Sequence, residues 1–285
     1  MRAALDEVVA RRVNAGAAVP AFTCYGAGTA LAVVGAAESL RLPVILLVAP
    51  SSAAAGGGPR LISTLRHIAD DARVPVCVQL DHAKDEALIR QGIEAGADAV
   101  LADGSHLSPE DNAAFVRRVR ASADVVVEAE LGSVPGAEDR AAVQETDLAG
   151  KTDPATVGAF LDASGAQLLA CGVGNVHGRY RGTPRIDWPL LARIRQEAGA
   201  VPLVLHGASG IPAADLRAAA AAGVGKVNVN TELRTAMLAA AEENLGRCRA
   251  AGEDMLSLTG AVTAAAEAVV REVLTTLAGA AAVPT

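Results

Sequence analysis

The sequence predicts a (β/α)8 barrel, an α/β fold, followed by extra C-terminal helices. Three observations carry that prediction. Apolar runs of four to eight residues, rich in Val, Ile and Leu, recur near 18–24, 43–49, 74–80, 98–102, 124–129, 167–171, 201–205 and 224–229. Such near-continuous hydrophobicity suits parallel strands buried on both faces. Segments of helical composition separate the runs. Gly96, Gly165, Gly199 and Gly223 each end such a segment just before the next run, where a left-handed residue closes a helix. Eight alternations favour a closed barrel over an open sheet, and no Gly-x-Gly-x-x-Gly opens a helix after the first run, which weakens a dinucleotide-binding reading.

Taken in order, the second run leads into Ser51-Ser52-Ala53-Ala54-Ala55-Gly56-Gly57-Gly58-Pro59-Arg60, which reads as a flexible, nearly side-chain-free loop before the helical segment 60–72. Glu94-Ala95-Gly96-Ala97-Asp98, Ser164-Gly165-Ala166-Gln167 and Ala222-Gly223-Val224 are the same helix-to-strand joint reused. Ser108-Pro109-Glu110-Asp111 is an N-cap with Pro at the first helical position, and Asp153-Pro154 repeats the device. Phe115, Val116 and Val119 supply that helix's apolar face. Residues 131–152 form a polar, Gly- and Pro-containing insert, long for such a connection and expected to be a mobile active-site loop. Residues 231–281 read as a C-terminal extension of two or three Ala-rich helices. The whole chain, 1–285, is expected to be one barrel domain.

Composition narrows the functional classes. The 25 basic and 32 acidic residues give a formal charge of −7, and only six aromatics are present. A nucleic-acid footprint and base-stacking platforms are therefore not expected, whereas anionic small molecules remain open because they need only local charge. Acidic residues appear at Asp6 and Glu7 before any apolar run, unlike a signal peptide, and the longest strongly apolar stretch, Val44 to Ala49, cannot span a bilayer. Cys24, Cys77, Cys171 and Cys248 are widely spaced and form no Cys-x-x-Cys pair. The expectation is a reduced, cytoplasmic protein.

Barrel enzymes place their chemistry at the C-terminal ends of the strands. The third run ends Gln79-Leu80-Asp81-His82, the fourth Leu101-Ala102-Asp103-Gly104-Ser105-His106 and the fifth Glu128-Ala129-Glu130. The sixth leads to Gly172-Val173-Gly174-Asn175-Val176-His177-Gly178, the seventh to His206-Gly207, and the eighth ends Asn228-Val229-Asn230-Thr231. One strand-end histidine is most often a core residue satisfied by a carbonyl. Three on one rim, His82, His177 and His206, suit catalytic Zn2+ with an open fourth position. Asp103 and Glu130 would orient these ligands or hold a second cation, divalent or monovalent. Gly207-Ala208-Ser209-Gly210 and Asn228 to Thr231 lie where barrels bind phosphate, with Gly178 adding another N–H. His67 reads as a surface residue and His106 as structural support beside the site.

The chain here resembles the class II, zinc-dependent aldolases of fructose and tagatose bisphosphate. The resemblance runs through Leu80-Asp81-His82, Asp103-Gly104-Ser105-His106, Glu128-Ala129-Glu130-Leu131-Gly132, Gly174-Asn175-Val176-His177-Gly178, Leu205-His206-Gly207-Ala208-Ser209-Gly210 and Lys226-Val227-Asn228-Val229-Asn230-Thr231. It implies that His82, His177 and His206 are zinc ligands, that Asp103 and Glu130 match positions holding a second metal in some members, and that Asp81 is the acid/base at the aldehyde oxygen. It further implies that Gly178, Gly207, Ser209, Asn228, Asn230 and Thr231 cradle dihydroxyacetone phosphate, and that Glu138 removes the donor's proton. Relatives of this kind are homodimers or homotetramers. A Schiff-base mechanism would need a buried nucleophilic lysine, and of Lys84, Lys151 and Lys226 only Lys226 lies in a buried run. The other classes weighed are a non-catalytic sugar-phosphate-binding barrel and a metal-assisted isomerase or decarboxylase.

Three stretches depart from the family pattern. Phe22-Thr23-Cys24-Tyr25-Gly26 lacks two expected amides, 51–60 lacks the usual Lys- or aromatic-containing helix start, and Gly252-Glu253-Asp254-Met255 stands where an Asp-Pro-Arg phrase is expected. All three touch the half of the site that receives the aldehyde. The expected substrate is fructose or tagatose 1,6-bisphosphate, or alternatively a ketose 1-phosphate lacking the second phosphate, with Arg60 or Arg181 as substitute clamps.

Overall fold

A computed structural model describes residues 2–136, 142–144 and 150–279. Eight parallel strands close into a barrel: β1 (Val19–Thr23), β2 (Val44–Val48), β3 (Val76–Ala83), β4 (Ala99–Ala102), β5 (Val126–Leu131), β7 (Leu168–Cys171), β9 (Leu203–Leu205) and β10 (Val224–Val229). They coincide with the eight apolar runs. Two short strands, β6 (Val143–Gln144) and β8 (Arg179–Tyr180), pair with each other outside the barrel. The helices are α1 (Leu5–Asn14), α2 (Ala27–Leu40), α3 (Pro50–Ala54), α4 (Gly58–Asp71), α5 (Glu86–Glu94), α6 (Pro109–Ser122), α7 (Pro154–Ser164), α8 (Trp188–Glu197), α9 (Ala213–Ala221), α10 (Thr231–Ala250) and α11 (Met255–Leu277).

The expected helix ends form as chemistry dictates. Ser108 Oγ accepts from the Asp111 N–H at 3.1 Å and Asp153 Oδ1 from the Ala155 N–H at 3.0 Å, and all four joint glycines have positive φ. The stretch after β2 differs from the expected loop. Pro50 at the first helical position and the following small residues make α3, and α4 begins at Gly58. Gly252-Glu253-Asp254 forms the turn between α10 and α11, with Asp254 capping α11 through the Ser257 N–H at 2.9 Å.

Two apolar clusters divide the structure. Phe22, Leu46, Val78, Val100, Val127, Leu169, Leu203 and Val227 face the surrounding helices. Val19, Ala21, Ile45, Leu47, Cys77, Ala99, Val126, Leu168, Ala170 and Val204 fill the barrel interior together with Leu5, Val8 and Val9 of α1. This alternation is the period-2 rule for strands. Helix α1 closes the N-terminal end of the barrel: Arg2 and Arg66 both reach the buried Asp98, and Asp6 accepts from Gln167 at 3.2 Å. The interior parity continues upward into polar residues, Gln79 and Asp81, Asp103, Glu128 and Glu130, His206, Lys226 and Asn228, all buried. No helix among the described residues is long and apolar enough to cross a membrane, and all four cysteines are buried free thiols.

Candidate active site

Asp81 and His82 are adjacent in sequence, so a regular strand would point them to opposite faces. It does not, because the β3–β4 register passes from Leu80↔Val100 to Ala83↔Ala102, leaving one extra residue on β3. This bulge puts His82 at φ +43° and brings both side chains to the C-terminal mouth. Strain of this kind persists only where surrounding structure fixes it, and Asp103 supplies one anchor by accepting from His82 Nδ1 at 3.1 Å.

His177 sits on the loop after β7, and that loop is fastened at several points. The His177 N–H donates to Pro135 O at 2.7 Å, Asn175 Nδ2 to His206 O at 2.9 Å, and the Val173 N–H to Asn175 Oδ1 at 2.7 Å. Tyr180 accepts from the Val176 N–H at 3.1 Å and donates to Gly207 O at 2.7 Å. The three histidine rings lie together, with centroids 4.9, 4.7 and 5.8 Å apart, and His82 Nε2 is 2.8 Å from His206 Nδ1.

The carboxylates around them have distinct surroundings. Asp103 Oδ1 is taken by the Ser105 N–H and hydroxyl at 3.1 and 2.6 Å. Burial works against its charge, but His82 and Ser105 hold it below the usual carboxylate range. Glu130 Oε1 accepts from the Val134 N–H at 3.1 Å, whereas Oε2 is buried without a hydrogen bond, 3.7 Å from His82 Nδ1. Burial raises Glu130. Asp81 Oδ2 accepts from Asn228 Nδ2 at 3.3 Å, and Asp81 Oδ1 is buried without a partner. Burial opposes the charge on His82, but Asp81, Asp103 and Glu130 raise it to about 10; burial and the other two histidines lower His177.

Two sets could hold a metal ion: His82, His177 and His206, and His82, Asp103 and Glu130, with the ligand atoms of each set within 4.8 Å of one another. Converging imidazole nitrogens and a buried carboxylate oxygen that lacks a donor fit a divalent cation in chemistry and in unmet bonding.

On the other side of His177 lies a small cavity lined by Gly178, Gly207, Ser209, Asn228, Asn230, Thr231 and Arg234. Gly207 is at φ +56°, and a Cβ there would stand 2.2 Å from Val176 O, so only glycine fits. Asn230 precedes the 20-residue α10 without capping it by its own side chain, leaving the positive helix end facing the cavity. Its Oδ1 accepts instead from the Tyr25 hydroxyl at 2.7 Å. Arg234 Nε and Nη1 are buried with no hydrogen-bond partner.

The structure thus brings together the described ligand, acid/base and phosphate-cradle residues that the sequence nominated, though not the substitute clamps. Glu138 lies outside the described residues, as do 137–141 and 145–149 of the 131–152 insert. Arg60 does not reach the site. It lines a hollow of about 710 Å³ on the outer face with His67, Gln91 and Glu94. Among the described residues that hollow holds no convergent ligating set, whereas the candidate ligands border a cleft of about 510 Å³ lined by His82, Lys84, Asp103, His106, Glu130 and His177. Arg181 is exposed beyond β8, and His106 is an exposed rim residue rather than a structural support. Lys226 is wholly buried against Glu128 at 2.7 Å; an ammonium so paired has no free lone pair to offer a carbonyl. Sequence reasoning missed Glu128, Gln79, Asn175, Tyr180 and Arg234.

Comparison with known families agrees with this geometry. The model of the family described as fructose-bisphosphate aldolase class-II matches residues 3–281. The chain belongs to the class II fructose-bisphosphate aldolase family. Within that aldolase family, it is 39% identical over 224 residues, 78% of each chain, to the D-tagatose-1,6-bisphosphate aldolase subunit GatY of Klebsiella oxytoca. Among solved structures, the YdjI aldolase from Escherichia coli K12 superposes with a TM-score of 0.86 at 27% identity over 99% of both chains. A fructose-1,6-biphosphate aldolase, so designated provisionally, from Coccidioides immitis gives 0.86 at 30% identity over 95% of both.

Proposed function

We propose that this family member is a metal-dependent aldolase that reversibly cleaves a ketose phosphate into dihydroxyacetone phosphate and an aldehyde. The observation that carries the reading is the juxtaposition of three buried histidines, a carboxylate with one unpartnered oxygen, and an anion cradle. His82, His177 and His206 hold Zn2+, and Asp103 and Glu130 hold a second cation or steady the first. A bound zinc would supply Lewis-acid stabilisation of negative charge on the donor's oxygens.

The chain's own groups do the rest. In cleavage, Asp81 Oδ1 takes the proton of the hydroxyl on the carbon that becomes the aldehyde, and the adjacent carbon–carbon bond breaks, leaving its electron pair on the donor carbon. A proton is then returned to that carbon, the role assigned to Glu138. Asn228, donating to Asp81 Oδ2, keeps the acid/base aimed at the substrate. The N–H groups of Gly178, Gly207 and Ser209, the polar groups of Asn228, Asn230 and Thr231, and the positive end of α10 hold the donor phosphate, with Arg234 completing the anion's surroundings.

The donor half is more fully equipped than the acceptor half. Thr23 and Gly26 stand where amides are expected, and Thr23 Oγ1 is buried without a partner. This supports an aldehyde that carries hydroxyls but no second phosphate, with fructose and tagatose 1,6-bisphosphate as the alternative substrates. Exposed Leu238, Leu245, Met255 and Leu256 on α10 and α11 support assembly as a homodimer or homotetramer.

The decisive experiment pairs calorimetry with kinetics. The zinc-loaded protein is expected to bind phosphoglycolohydroxamate, which mimics the donor after proton removal, and to cleave ketose 1-phosphates. No binding at a zinc-loaded site would remove the aldolase reading, and far faster turnover of a bisphosphate would remove the single-phosphate one.

A further inference from the structure

Beneath the histidines, the barrel interior abandons apolar packing. Glu128 on β5 and Lys226 on β10 are fully buried and meet at 2.7 Å. Gln79 on β3 donates to the same oxygen, Glu128 Oε2, at 2.8 Å, and Glu128 Oε1 accepts from His206 Nε2 at 2.9 Å. One carboxylate thus ties together residues from β3 and β10 and the histidine that follows β9. Stability alone does not account for this pair. Desolvating two ions offsets most of their attraction, and an apolar pair of similar volume is often as stable or more so.

We propose that Glu128 and Lys226 are positioning residues that fix the proton on His206 Nε2 and so present its Nδ1 lone pair to a metal ion. The proposal rests on reading His82, His177 and His206 as metal ligands. An ionised carboxylate only accepts hydrogen bonds. With Glu128 Oε1 against it, His206 therefore carries its proton on Nε2, and Nδ1 is the nitrogen left facing His82. Lys226 and Gln79 occupy the other carboxylate oxygen, so Glu128 cannot turn away and the imidazole plane is set by groups that never touch substrate. Asp103 does the same for His82 from the rim. Outer partners of this kind orient metal-bound histidines and set their affinity.

The test compares two double variants that both remove the buried charges. Glu128→Leu with Lys226→Met deletes the acceptor. Glu128→Gln with Lys226→Met keeps an amide oxygen that can accept from Nε2, with Gln79 able to turn its own amide to match. Zinc affinity, read by competition with a chromophoric chelator, is expected to fall about 10- to 100-fold in the first and to recover most of that loss in the second. The visible spectrum of the cobalt-loaded protein should shift only in the first. A folded leucine variant with unchanged affinity and spectrum would overturn the proposal.

A measurement on the unaltered protein applies whether or not the variants fold. Nitrogen-15 spectra of the histidine-labelled, zinc-loaded chain should show the His206 proton on Nε2, with His206→Asn used for assignment. A proton on Nδ1 refutes the proposal. A wild-type chain that takes up neither zinc nor cobalt would instead remove the metal reading on which the proposal stands, so the two failures are distinguishable.

Discussion

His82 Nε2 stands 2.8 Å from His206 Nδ1, closer than two imidazole nitrogens on one tetrahedral zinc, which at bond lengths of about 2.0–2.1 Å sit roughly 3.3 Å apart. The spacing is that of a shared proton. His82 donates through Nε2 to His206 and through Nδ1 to Asp103, and His206 donates through Nε2 to Glu128. Every ring nitrogen of the pair is used, and metal uptake must exchange for the central proton.

That exchange makes affinity depend on pH. Burial disfavours charge on His82, but its three carboxylate neighbours win and raise it from 6.5 to about 10. In chelator-stripped protein the proton therefore stays in place until about pH 10, and zinc affinity should rise by about tenfold per pH unit across that window. Because the folded value is raised, the stability this group contributes to the stripped protein is complete below 6.5 and is lost as pH climbs through about 10. Chelator competition and thermal melts at successive pH values check both. A flat affinity profile would show that the proton is not held.

Replacing Asp81 with Asn keeps the shape and the Asn228 contact but removes the base. Turnover should fall by about 10²- to 10⁴-fold, with zinc affinity within a few-fold of wild type, measured by steady-state cleavage and chelator competition. A comparable loss of zinc would place Asp81 among the metal's supports instead.

Arg234→Met tests the anion cradle. Two buried N–H directions without partners are costly in a protein alone, and a charge-assisted pair with phosphate would add about 1.5–3 kcal/mol. KM for the phosphorylated substrate should rise by roughly 10- to 100-fold while kcat changes less, and inorganic phosphate should inhibit more weakly. Unchanged KM with a changed melting temperature would make Arg234 a packing residue.

Gly207→Ala forces a Cβ to 2.2 Å from Val176 O at a positive φ. The backbone carrying His177 must move, so the variant should lose about 1–3 kcal/mol of stability, as overpacked sites do, together with phosphate binding. Melts and phosphate titration read the two losses separately, and a variant with native stability would mean that this turn is more yielding than its contacts imply.

Much of this was legible in the chain because both faces of each barrel strand are buried, so the apolar runs near 18–24 through 224–229 needed no parity to be recognised. The strand ends then nominated the histidines directly. What stayed hidden depends on contacts between distant segments. Glu128 shares a face with Glu130, two residues on, and its partner Lys226 interrupts another apolar run; two opposite charges inside two buried strands were the available signal. Arg234 lies in the first turn of α10, where the helix dipole disfavours a cation, an oddity that points to an anion. Nothing in the polyalanine and glycine of 51–60 separates a loop from the helix Pro50 starts, and β6 and β8 are too short to leave a pattern.

The bulge in β3 couples two functions into one piece of backbone. Because a single surplus residue turns both Asp81 and His82 toward the mouth, the proposed proton carrier and the proposed metal ligand stand in fixed alignment, without relying on a loop to bring them together. Deleting Leu80 or Ala83 would restore even pairing with β4 and swing one of the two side chains out toward the helical layer. The two side chains could then no longer face one cavity, and the proposed proton transfer would lose its register with the metal.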